Sequence, residues 1–145
     1  MLKELAKKYY DEDYNCAESL VHAGNEYYEL GLSEHDMRMA AAFGAGMQVG
    51  DVCGALAGAA CVVSARYVET RAHNHREVLR TVMEKLVAQF EEKLGSRLCR
   101  EIKEVHFQEK GRCIHTVMTA AEVLEEVLAA YDKKAKAAKH EMDIK

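Results

Sequence analysis

The stretch Val52-Cys53-Gly54-Ala55-Leu56-Ala57-Gly58-Ala59-Ala60-Cys61-Val62-Val63-Ser64-Ala65-Arg66-Tyr67-Val68 decides the fold. It holds no proline, and its first charged side chain, Arg66, comes near its end. Gly54 and Gly58 stand four apart with Ala55 and Ala59 beside them, so one helical face is bare enough for another backbone to lie against it. The stretch reads as a fourth helix over about 52–68, buried at the centre of a bundle.

Outward from it, apolar residues recur at helical spacing, alternating runs are scarce, and proline is absent from all 145 residues. A short first helix covers about 2–10, with Leu2, Leu5, Ala6 and Tyr9 on one stripe. Asp13 is the expected N-cap of a second helix that carries Ala17, Leu20, Val21 and Tyr28 and ends near Gly31. Ser33 followed by Asp36 has the form of a capping box and opens a third helix through about Phe43. Gly44-Ala45-Gly46-Met47-Gln48-Val49-Gly50 then lets the chain turn tightly, and Asp51 is the expected cap of the central helix.

A fifth helix, about 75–94, places Leu79, Met83, Leu86 and Phe90 on one face and stops at Gly95. Ser96 is expected to cap a sixth, holding Leu98, Cys99 and Ile102. The last begins around Arg112 and repeats Ile114, Val117, Ala121, Leu124, Leu128 and Tyr131 at spacings of three and four. That seam either buries against the bundle or forms a homodimer. The expected fold is all-α, a single-domain compact bundle of about six or seven helices around the Gly/Ala-rich one. It spans 1–145, with 132–145 a charged, fraying tail.

Twenty Lys and Arg against 24 Asp and Glu give a formal charge of −4, with no electrostatic footprint for nucleic acid. Lys133, Lys134, Lys136 and Lys139 lie beside Glu141 and Asp143 and read as a solvated helix end. The N-terminus has no apolar core of a secretory signal, so a cytoplasmic protein is expected. Between Ala40 and Ala65 the only charge is Asp51, but Gly44, Gly46 and Gly50 interrupt the stretch, which argues for a buried core rather than a membrane span.

Five cysteines, at 16, 53, 61, 99 and 113, are too scattered for a secreted disulfide framework, and no pair has Cys-x-x-Cys spacing. Four of them fall in the first turn of a different expected helix: Cys16 after Asp13, Cys53 after Asp51, Cys99 after Ser96 and Cys113 after Gly111. Helix N-termini present unpaired N–H groups and partial positive charge, which favour a thiolate. Each position is therefore expected to lower a cysteine pKa. Cys61 lies two turns inside the central helix and reads as packing. Of the seven histidines, His115 is the best placed to approach such a site as a further ligand. Any shared site must be assembled by the fold.

Asn15-Cys16-Ala17, Phe43-Gly44-Ala45-Gly46-Met47, Cys53-Gly54-Ala55-Leu56-Ala57-Gly58, Gly95-Ser96-Arg97-Leu98-Cys99 and Cys113, in this order, resemble the bacterial and archaeal C_GCAxxG_C_C family of redox-active proteins. The resemblance covers essentially the whole chain and maps the family's four cysteines onto Cys16, Cys53, Cys99 and Cys113. Cys61 falls outside the pattern. The arrangement is also similar to the non-haem part of split-Soret-type cytochromes, which points to an iron–sulfur centre. Covalent haem is not expected, since no Cys-x-x-Cys-His occurs.

Three functions stay open at this point. The first is an oxidoreductase or electron-transfer protein whose four cysteines hold an iron–sulfur cluster or another thiophilic metal and serve an unknown redox partner protein. The second is metal-free thiol–disulfide chemistry, with Cys53 attacking and another of the four resolving. The third is a non-enzymatic helical scaffold with buried cysteines.

Overall fold

The computed structural model describes residues 1–144, which form seven α-helices and no strand. These are α1 (Leu2–Asp11), α2 (Cys16–Tyr28), α3 (Glu34–Arg38), α4 (Gly54–Tyr67), α5 (Arg76–Leu94), α6 (Cys99–His106) and α7 (Ile114–Ile144). The fold is all-α, as the periodicity implies. No helix among the described residues is long and apolar enough to cross a membrane.

The central helix is where the small residues put it. α4 packs on α2, α5 and α7, and its Ala55, Leu56, Ala59, Val62 and Val63 are buried. α2 lies closest, and the glycines explain why. A β-carbon on Gly58 would stand 2.5 Å from the Ala17 carbonyl oxygen and 3.0 Å from Leu20 Cβ. Leu20, Phe90, Leu124 and Leu128 fill the core around this contact. A smaller apolar cluster, Ala17, Val21, Met37 and Ala40, sits between α2, α3 and the chain leading to the glycine-rich segment.

Several boundaries differ from expectation. The N-cap of α2 is Asn15, not Asp13: its side chain accepts from the Glu18 amide while Glu18 accepts from the Asn15 amide. Asn15 Nδ2 also donates to the Ala41 carbonyl at 2.9 Å. The helix opened by the Ser33–Asp36 box stops at Arg38, and only a short 3₁₀ turn, Ala41–Phe43, follows. α2 ends at Glu29, in the left-handed region, ahead of Gly31. Asp51 and Ser96 cap no helix: Cys53 and Leu98 occupy those positions.

The apolar seam of α7 is used within the chain. Val117, Ala121, Leu124 and Leu128 are buried, and α7 packs on α1, α5 and α4. That seam is therefore not free to form the homodimer weighed above. Past Asp132, which accepts from Arg66 at 2.7 Å and from the Tyr67 hydroxyl at 2.6 Å, α7 runs on as an exposed helix to Ile144.

Candidate functional site

Each of the four cysteines opens a helix. Cys16 is the first residue of α2, Cys53 is the N-cap of α4, and Cys99 is the first residue of α6. Cys113 immediately precedes α7, and its carbonyl takes the first helical bond, from the Val117 amide at 2.9 Å.

Two backbone bonds draw a pair of these starts together. The Cys53 amide donates to the Arg97 carbonyl at 2.8 Å and the Cys99 amide to the Asp51 carbonyl at 2.7 Å, flanking an antiparallel bridge between Val52 and Leu98. Cys16 reaches the same place across the α2–α4 contact. Its sulfur lies only 2.4 Å from where a β-carbon on Gly54 would be. Gly54 and Gly58 of the Cys-Gly-Ala-x-x-Gly segment thus have distinct jobs: one leaves room for the Cys16 sulfur, the other for the α2 backbone. Cys113 is held from α1, its amide donating to the Tyr10 hydroxyl at 3.1 Å.

The glycine-rich segment wraps this junction in an unusual conformation. Ala45, Gly46, Met47 and Gln48 follow one another in the left-handed region, with φ of 52°, 62°, 61° and 64°. For a non-glycine residue that conformation costs about 1–2 kcal/mol. The compensation is local. The Ala45 amide faces the Cys16 sulfur, Gln48 Nε2 donates to the Gly44 carbonyl at 2.8 Å, and the Asp51 amide donates to the Gly46 carbonyl at 2.8 Å. At Gly46 only glycine fits, since a β-carbon would meet the Asp51 backbone and Cys99 Cβ at 2.5–2.6 Å.

The outcome is one cavity of about 260 Å³ lined by Cys16, Cys53, Cys99 and Cys113 together. Cys53 and Cys99 are nearly sealed, at 4% and 7% exposure, while Cys16 and Cys113 are half-buried. Tyr10, Asn15, Ala45, Thr116 and Ile102 complete the inner wall, and Lys103, Phe107 and Arg112 stand at the surface end. Cys61 is elsewhere, half-buried in an apolar groove with Val21, Phe43 and Leu79. His115 does not line the cavity; its exposed ring stacks on His106 at 5.2 Å. Sequence reasoning missed Tyr10, Lys103, Phe107 and Arg112, which no motif marks. It also missed Asn15 as a cap, although Asn15-x-x-Glu18 carries that signal.

At Cys16, Cys53 and Cys113 the expected fall in thiol pKa is overturned by burial. Desolvation pushes Cys53 up to about 12, and the Cys16 sulfur beside it adds to the shift, while the Leu56 and Ala55 amides pull back without prevailing. Cys16 is raised by burial against the Ala45 and Ala17 amides. Burial also raises Cys113, opposed first by the Lys103 ammonium. Cys16 and Cys99 disfavour charge at both Cys53 and Cys113, so the four thiols share one electrostatic environment.

At pH 7 a thiol with a pKa of about 12 is ionised to roughly one part in 10⁵. Iodoacetamide is therefore expected to label Cys53 of the metal-free protein far more slowly than an unfolded-chain cysteine, gaining about tenfold per pH unit above neutrality. Rapid labelling at pH 7, located by mass spectrometry, would contradict this. The same shift has a sign for stability. The folded state keeps its proton when the unfolded thiol, near 9, has lost it, so this contribution is intact below pH 9 and fades towards pH 12.

The fold and the cavity together define a class: small all-α proteins that converge several helix-opening thiols on one buried centre. The chain belongs to the C_GCAxxG_C_C family, described as putative redox-active proteins, whose profile matches residues 14–127. The match takes in all four cavity cysteines and ends within α7. No curated protein and no solved structure matches the chain.

Proposed function

We propose that the protein is an electron-transfer protein whose Cys16, Cys53, Cys99 and Cys113 hold one iron–sulfur cluster. The observation that carries this reading is the single cavity lined by thiols from four separate helix starts. Four cysteines are the complete ligand set of the common two- and four-iron clusters. When bound, such a cluster accepts and releases one electron at a time.

The donor set suits a cluster better than a single ion. Four thiolates on one zinc ion each stand about 2.3 Å from it, which demands tight convergence. Among the described residues no group of three or more His, Cys, Asp or Glu is arranged to hold a metal ion. A cluster spreads its ligands over several irons and needs a larger space. The chain's own residues would then do three things. The thiols give up their protons to the metal, which relieves the desolvation that raises the pKa of Cys16, Cys53 and Cys113. The amides of Ala45, Ala55 and Leu56 face the sulfurs and steady their negative charge. The sealed wall at Cys53 and Cys99 keeps water out.

The metal-free thiol–disulfide reading is weakened by the protonated state of Cys53, since the thiolate is the attacking form. The test is anaerobic purification or reconstitution with iron and sulfide, followed by metal analysis and an absorption spectrum. Stoichiometric iron and acid-labile sulfide with charge-transfer bands support the cluster. A colourless, iron-free protein with an oxidisable cysteine pair would instead select the disulfide chemistry.

A further inference from the structure

Three cavity-lining residues are exposed, namely Lys103, Phe107 and Arg112. Lys103 and Arg112 are the only charged side chains in the lining, which contains no carboxylate, although the chain has 24 acidic residues against 20 basic ones. Both cations are set over aromatic rings: Lys103 Nζ lies 5.8 Å from the Phe107 centroid, and the Arg112 guanidinium lies 4.8 Å from that of Tyr10. A recess sharing Tyr10 and Arg112 adjoins the cavity and adds Lys7 and Lys110. Of its two carboxylates, Asp11 is paired with Lys7 at 2.5 Å and Asp13 completes the wall.

Apolar side chains accompany this charge. Phe107 is 47% exposed, and on the segment whose Ala45 lines the cavity, Met47 and Val49 are 50% and 74% exposed. That segment packs against α6, with Arg100 Cβ within contact distance of where a β-carbon on Gly50 would be. Large apolar side chains held in water beside a cationic opening are the makings of a transient interface.

We propose that this face docks an acidic electron-carrier protein over the mouth of the cavity. The inference rests on the cavity being a redox centre and names the partner that centre serves. A second copy of the chain fits poorly, because a two-fold contact here would set Lys103 and Arg112 against their own kind. A partner with a carboxylate-rich patch is steered in by the cations and closes on the apolar side chains, as suits a weak, fast complex. The step is one electron: the reduced carrier loses it, the cysteine-held centre gains it, and no bond forms between the proteins.

The test measures binding directly, by NMR titration of the full chain with an acidic flavodoxin and, separately, a basic cytochrome c. The flavodoxin is expected to bind, about tenfold more weakly at about 200 mM than at about 20 mM salt. Lys103→Glu and Arg112→Glu are each expected to weaken it about tenfold, and Phe107→Ala to weaken it without changing the salt dependence. Circular dichroism checks that each variant is folded, and Lys103 lies exposed on α6 where reversal leaves packing intact. Absence of flavodoxin binding, equal binding of cytochrome c, or indifference to both charge reversals would overturn the proposal. The titration is run on both the iron-free and the iron-reconstituted protein, so failure to retain a cluster and failure to dock a carrier are separate results.

Discussion

Serine in place of any one of Cys16, Cys53, Cys99 or Cys113 is expected to cut the iron and sulfide retained after anaerobic reconstitution by at least about 10–100-fold. That is the loss usual for disturbing even the outer partners of a metal site, and these changes strike the ligands themselves. Cys61→Ser is expected to retain the full content, because Cys61 faces an apolar groove and not the cavity. The pattern across the series is more informative than any member. Similar losses at all four positions mean that one centre uses all four sulfurs. Loss at only two would describe a smaller metal site held by two of the sulfurs, and full retention at all four would mean that these cysteines are not the ligands. Serine nearly preserves side-chain volume, so thermal denaturation of the metal-free variants separates a missing ligand from a damaged fold.

The second large effect is expected from Gly58→Ala. The new methyl would fall 2.5 Å from the Ala17 carbonyl oxygen and 3.0 Å from the Ala17 Cα. Both are backbone atoms of α2, so no side chain can swing aside and the two helices must separate. Overpacking of this kind costs about 3 kcal/mol, while alanine's better helix propensity returns about 1 kcal/mol. A net loss of about 2 kcal/mol corresponds to a Tm lowered by about 4–8 °C in a chain of this size. Cys16 begins the helix that would be pushed away, so the same variant is expected to bind iron poorly. Ser64→Ala, exposed on the same helix, is the control and should change Tm little. A Gly58→Ala protein as stable as the parent would mean that α2 and α4 are not pressed together as described.

How far the site could be read beforehand depends on whether its causes are local. The helix starts at the cysteines are local events, set by caps and apolar periodicity, and all four are visible in the sequence. The cap identities were less legible. Asp13 and Asn15 compete for one position, and Asn15 wins because it also reaches the Ala41 carbonyl, far along the chain. The thiol pKa values of Cys16, Cys53 and Cys113 were misjudged for a related reason. Helix dipoles are encoded locally, but burial comes from packing, and here desolvation outweighs the dipole. The exposed cations at the cavity mouth carry no pattern at all, since Lys103 and Arg112 become neighbours of the thiols only once α6 and the turn before α7 are in place.

By itself, then, the sequence determined an all-α chain, a Gly/Ala-rich central helix and a thiol at each of four helix starts, because propensity, capping and periodicity act over a few residues. Only the tertiary structure decided that these thiols face one cavity. The Val52–Leu98 bridge brings Cys53 beside Cys99, the bare face of Gly54 and Gly58 admits Cys16, and Tyr10 of α1 holds Cys113. Those contacts join residues distant along the chain, and no local rule specifies which distant backbones will meet.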